Sequence, residues 1–254
     1  GSKSIFLVHK GAKVFLWEPF SSRQEGVYEV SRNLYKNAYG NKVIFEEINH
    51  DLEVSFTYEW NSSDAFGFVR KSTLKNTSEQ AVNIRLLDGI QNILPYGVED
   101  ALQNSTSNLV DAYKKSELHP DTGVAMFSMS SLLTDRAEPS ECLSATTVWS
   151  YGLPQPQYLL SSIQLDRFRQ GLEVSQEQDV HGRRGAYFIV DEIELEATDQ
   201  RSWGIVADVN QGPAEVANLI NNVMSCAPLS QEIDYDLKEG RSHLRQIIGM
   251  ADGF

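Results

Sequence analysis

Cysteine is almost missing: Cys142 and Cys226 are the only two in 254 residues. They stand far apart and lack any CxxC or Cys/His spacing, so neither a zinc site nor a disulfide framework is indicated. Both are expected as reduced, half-buried packing residues. Positive charge is also scarce, with 22 Lys and Arg against 35 Asp and Glu, a net charge of −13. Such a surface repels phosphate backbones and anionic headgroups, which removes nucleic acid and membrane surfaces from the expected partners. No apolar run reaches the ~18 residues of a membrane span, and Gly1-Ser2-Lys3-Ser4 leads straight into Ile5-Phe6-Leu7-Val8 with no secretory pattern. A cytoplasmic location is therefore expected. The opening Gly-Ser reads as a cloning scar, and with it the chain as a piece of something longer.

The usual catalytic strings are absent as well. No GxGxxG, GxxxxGK[ST], GxSxG or HExxH occurs, which takes dinucleotide, P-loop, hydrolase-elbow and zincin readings off the page. His9, His50, His119, His181 and His243 share no i, i+2 or i, i+4 spacing, so no metal and no cofactor is expected. Three Asn-x-Ser/Thr triplets, at Asn61, Asn76 and Asn104, are about what chance supplies.

What is present is strand patterning in a chain of ordinary globular composition, 41% hydrophobic and 22% charged. Leu52, Val54, Phe56, Tyr58 and Trp60 alternate with Glu53, Ser55, Thr57 and Glu59, the period-two signature of a half-buried antiparallel strand. Runs over 66–75 and 81–90, parted by Asn76-Thr77-Ser78-Glu79, continue a meander. Shorter strands are expected at 4–9, 13–17, 26–30 and 43–48, and later at 124–133, 144–150, 158–165, 187–191, 192–197 and 203–208. Ile193, Leu195 and Ala197 with Trp203, Ile205, Ala207 and Val209 flank Thr198-Asp199-Gln200 as a hairpin. Segments 98–103 and 107–118 read as short helices, the second capped by Ser105 or Thr106. After Asn210, Pro213 at a first helical position opens a helix to Ser225. Ser230 is expected to cap a second, with an apolar stripe of Ile233, Leu237, Gly240, Leu244 and Ile248, and Ile247 beside it. This terminal helix, from about 231 to 249, is expected to pack weakly or against a neighbouring molecule, its partner lying outside the chain.

Few side chains suggest chemistry. Glu46/Glu47 and Asp191/Glu192 are neighbours on strands and point to opposite faces, so neither pair can flank one bond, and both read as surface charge. Glu99 and Asp100 suit the positive end of a helix. His50 and His119 stand in turn-like strings. Trp17, Trp60, Tyr96, Trp149, Tyr151 and Tyr158 would stack on sugar rings if exposed, although the alternating face places Tyr58 and Trp60 in the core.

Two stretches resemble a known family. Residues 72–98, STLKNTSEQAVNIRLLDGIQNILPYGV, followed by LVDAYKKSELHPDTGVAMFSM over 109–129, are similar to the amino-terminal β-sandwich of the cellobiose phosphorylase and cyclic glucan synthase group, with its Leu-x-Asn-Thr-Ser turn. IELEATDQRSWGIVADVNQGPAEVANLINNV, over 193–223, resembles that group's last hairpin and outgoing helix, with Thr198-Asp199-Gln200 where Pro-Gly-Glu is usual. The resemblance implies a mostly β chain: a large two-sheet antiparallel supersandwich of galactose mutarotase-like fold over 1–210, a few short helices, and a C-terminal helical linker over 211–254 toward an absent catalytic domain. It further implies a non-catalytic amino-terminal domain of a glycoside phosphorylase or hydrolase, partnered by a catalytic helical barrel of the same polypeptide. Carbohydrate and a second copy of the chain are the further partners it allows. No catalytic or metal residue is assigned, and no carbohydrate-binding residue is identified. The alternatives are an aldose 1-epimerase, for which His181 with Asp191 or Glu192 is the one acid–base pair available, and a stand-alone carbohydrate-binding module, which needs a row of exposed aromatics.

Overall fold

The computed structural model describes residues 1–131, 143–225 and 229–252; Cys142 and Cys226, with the expectation attached to them, lie outside the described residues. In chain order the strands are β1 (Ser2–Lys10), β2 (Lys13–Trp17), β3 (Val30–Lys36), β4 (Lys42–Asn49), β5 (Val54–Ser63), β6 (Gly67–Asn76) and β7 (Val82–Ile93). Helices α1 (Asp100–Ser105) and α2 (Ser107–Ala112) precede β8 (Lys114–His119), β9 (Val124–Met129), β10 (Ala145–Tyr151) and β11 (Gln157–Leu159). Then come α3 (Leu165–Arg169), β12 (Asp179–His181), β13 (Gly185–Leu195), β14 (Gln200–Gln211), α4 (Pro213–Met224) and α5 (Leu229–Asp252).

All described pairings are antiparallel. A five-stranded sheet runs β11-β13-β7-β1-β2 and a nine-stranded sheet β12-β8-β9-β10-β14-β6-β5-β4-β3. The mostly β two-sheet sandwich expected from the alternation is the fold observed. Val54, Phe56, Tyr58 and Trp60 face inward as their period requires, and join Phe6, Leu74, Leu86, Ile193, Trp203 and Ile205 between the sheets. The five-stranded sheet's other face is covered by α3 and its flanks, through Leu165, Phe168 and Val174. On the outer face of the nine-stranded sheet, Val69, Val124, Trp149 and Val206 pack beneath α4 and α5.

Polar groups tie the layers together. Asp88 of β7, fully enclosed, accepts two bonds from the buried Arg70 of β6 at 2.6 and 2.9 Å, and one each from Ser4, Ser72 and the Trp203 indole. An internal carboxylate is tolerated only when its charge and lone pairs are answered in this way. Asn76, from the Leu-x-Asn-Thr-Ser turn, is 1% exposed. Its side-chain amide donates to the carbonyls of Gln80, Leu195 and Glu196, and its side-chain oxygen accepts from Ser78, so the turn is stapled to the connection that carries the chain from β13 in one sheet to β14 in the other. Glu18, at the end of β2, is 3% exposed and holds Arg169 of α3 at 2.5 Å and Lys3 at 3.3 Å. Burial raises its pKa, but the Arg169 and Lys3 cations outweigh burial and leave it below its ordinary value of 4.5. A carboxyl with a depressed folded-state pKa stabilises the fold above its unfolded pKa and loses that contribution as pH falls through the folded value. Glu18→Gln is therefore expected to flatten the decline of stability below about pH 4.5, read from unfolding midpoints at stepped pH; an unchanged slope would deny this linkage.

Several expectations need correction. The strand expected over 26–30 is a loop, and the true strand is β3, whose side chains are mostly exposed. The helix expected over 107–118 stops at Ala112, because Lys114, Ser116 and Leu118 turn inward on β8. Thr106 stands at the N-cap position of α2 but makes no capping bond; its hydroxyl and that of Ser105 both donate back to the Leu102 carbonyl. Residues 160–165, expected as strand, lead into α3, and the two runs from 187 to 197 are one strand, β13. The hairpin expected around Thr198-Asp199-Gln200 is a crossover between layers, because β13 and β14 belong to different sheets, and the meander ends at β6 because β7 belongs to the five-stranded sheet. Ser230 lies within α5. The weak packing expected of that helix fails for its first half: Ile233 and Leu237 are buried on the sheet, Lys71 pairs with Asp234, and Ser63 donates to Asp236. Its second half does present apolar surface, Ile247 and Met250 being exposed.

Candidate functional site

The outward positions of the central strands are polar by the same alternation that fills the core. On adjacent strands they are Thr57 and Glu59 of β5, Lys71 and Thr73 of β6, Ser202 of β14 and Tyr151 of β10. An uncovered sheet would leave these side chains in solvent. Here α5 crosses the face and contributes Ser230 and Asp234, closing a cleft of about 480 Å³ over them. Volumes of this order hold small organic ligands.

Charge in the cleft is balanced. Glu59 pairs with Lys42 at 2.5 Å, and Lys71 with Asp234. Thr73 and Ser202 share a hydrogen bond of 2.8 Å. Tyr151 differs from these. Its ring lies over Gly204, where a Cβ would stand 2.2 Å from ring and hydroxyl-bearing carbons, so glycine is what allows the ring to lie flat on the strand. The hydroxyl is enclosed with no hydrogen-bond partner. Burial, aided by the Glu59 charge, pushes its pKa up to about 12, so it stays a neutral donor at ordinary pH.

The residues singled out from sequence lie elsewhere. His181, at the edge of the nine-stranded sheet, pairs with Asp179 at 2.9 Å, while Asp191 and Glu192 belong to β13 of the other sheet. The nominated acid–base pair is thus split between layers, although burial does raise the Asp191 carboxyl. Glu47 is not surface charge: it is 2% exposed and accepts from the Trp17 indole, the Phe20 amide and Arg32. His50 bonds Ser31 and His119 bonds Thr122, both at turns. Of the six aromatics, Trp17 and Trp149 are buried, Trp60 and Tyr158 pack against the core, Tyr96 is exposed and Tyr151 lines the cleft. They form no row. Sequence does mark Thr57 and Glu59 as outward-facing, but Arg70-Lys71-Ser72-Thr73 is polar at every position and prints no alternation, and nothing says that α5 roofs this face. Among the described residues, no three His, Cys, Asp or Glu side chains converge as metal ligands, and no helix is long and apolar enough to cross a membrane.

No protein-family model matches the chain, and no curated protein matches it in sequence. Solved structures do. A bacterial glucoamylase complexed with acarbose superposes with a TM-score of 0.51 at 10% identity, over 92% of this chain and 30% of its own. A polysaccharide lyase gives 0.47 at 12% identity, over 84% of this chain and 26% of its own. A galactose mutarotase-like protein from Lactobacillus casei gives 0.39 at 8% identity, over 82% and 85%. The chain spans less than a third of the glucoamylase and the lyase. The likeness is one of fold: what the chain shares with the glucoamylase is a two-sheet antiparallel β-sandwich.

Proposed function

We propose that this sandwich is a non-catalytic, amino-terminal domain of a carbohydrate-active enzyme of the glycoside phosphorylase or hydrolase type, cytoplasmic, which positions a catalytic helical barrel of the same polypeptide. The observation that carries the reading is that 92% of the chain, yet only 30% of a bacterial glucoamylase, is shared in the superposition. Fold alone does not supply an activity, so the reading also leans on chemistry. Glycosidic cleavage needs a general acid facing a nucleophile or an activated water across one bond. In the cleft both carboxylates, Glu59 and Asp234, are instead neutralised by lysines. The exposed apolar residues on the second half of α5, Ile247 and Met250, offer a surface for the barrel.

The test is proton exchange spectroscopy of glucose and galactose anomers with the purified chain. Interconversion at the buffer rate is expected. Interconversion above buffer that Glu59→Gln or His181→Ala abolishes would replace this reading with the aldose 1-epimerase.

A further inference from the structure

We infer that the cleft between α5 and the outer face of the nine-stranded sheet is a subsite for a neutral sugar unit, with Tyr151 as its platform and polar anchor. The choice of ligand class rests on the carbohydrate reading above; the location stands on geometry alone.

Three observations converge. The lining alternates donors and acceptors at short range: Thr57, Thr73, Ser202 and Ser230 offer hydroxyls, Glu59 and Asp234 accept, and Lys71 donates. A ligand made mainly of hydroxyls, each both donor and acceptor, suits that mixture. Second, Glu59 and Asp234 are already paired with Lys42 and Lys71, so no lysine of the lining is left free to answer a phosphate or a carboxylate. Third, the enclosed Tyr151 hydroxyl lacks a partner, and an unmet buried donor carries a desolvation penalty of roughly 1–3 kcal/mol that a ligand hydroxyl would remove. The Tyr151 ring also supplies the apolar surface on which the C–H face of a pyranose packs. Glycine at 204 is part of the site, because any side chain there would lift the ring.

The missing partner makes the test sharp. Since the hydroxyl bonds nothing in the protein, Tyr151→Phe is expected to leave thermal stability unchanged or raised while it weakens sugar binding. A hydroxyl with a merely structural role would behave in the opposite way. Isotope-labelled protein is titrated with glucose, galactose, maltose and glucuronate, and amide shifts are followed. At least one neutral sugar should shift amides at 57–59, 71–73, 151–152, 202 and 230–234, with affinity on the order of millimolar. Tyr151→Phe should weaken that affinity about tenfold, and Glu59→Gln by several-fold with the fold intact. Shifts mapped to another face would overturn the cleft assignment and leave the carbohydrate reading standing. Glucuronate alone binding in the cleft, or no sugar binding anywhere, would also overturn it. Anomer interconversion above buffer with sugar seated in the cleft would overturn the non-catalytic reading and keep the subsite.

Discussion

Asp88→Ala is expected to destabilise the sandwich by about 3–5 kcal/mol, because it leaves the Arg70 guanidinium buried and unpaired between the sheets. Arg70 already has one nitrogen, Nε, without a partner. Truncating Asp88 would leave its other two nitrogens only the Ser72 and Ser4 hydroxyls, with no anion to answer the charge, and would strip the Ser4, Ser72 and Trp203 donors of their acceptor. Urea unfolding measures the loss. The double variant Arg70→Met with Asp88→Leu should recover part of it, since replacing both charges with apolar groups removes the burial penalty instead of exposing it. A loss below about 1 kcal/mol in the single variant would mean that water reaches this pair and that the sheets are not closed over it.

Phe56→Ala should cost a similar amount, about 3–5 kcal/mol, for a different reason. The ring is fully enclosed, with Phe6 at 4.9 Å and Trp203 at 6.2 Å between centroids, so truncation leaves a cavity that these bulky rings cannot readily collapse into. Chemical denaturation with unchanged m-value would report it. A change below about 1 kcal/mol would mean that β5 runs one residue out of register, with its odd positions in the core.

Those two residues show what was legible in the sequence. Phe56 sits in an unbroken alternation, and period two places its side chain without any knowledge of the partner sheet. Arg70 and Asp88 sit in equally clear strands, yet nothing in either run says that a cation from one meets an anion from the other. β3 is silent in the sequence because an edge strand that buries little has no apolar face to print a pattern. β8 carries no strand signature, because two of its three inward residues are Lys114 and Ser116, and Lys114 is satisfied by Asp111 and Gln103. The stripe on α5 was visible, but its partner was not. That partner is four apolar residues, Val69, Val124, Trp149 and Val206, taken singly from four strands, so no one run of sequence displays it. The cleft was hidden for the same reason, since a roof brought from the far end of the chain turns solvent-facing residues into a site.

The position of β14 has a bearing on how the chain comes to be folded. It is the last strand in sequence, yet it lies inside the nine-stranded sheet, joining β10 on one side to β6 on the other. Until residues 200–211 have left the ribosome, the large sheet can exist only as two unconnected pieces, β6-β5-β4-β3 and β12-β8-β9-β10, each offering an open edge where β14 will go. β1 waits too, since its partner β7 follows it by some eighty residues. Such non-local pairing makes for slow acquisition of the native state, and for a nascent chain that must be kept from pairing with its neighbours until its final strand arrives.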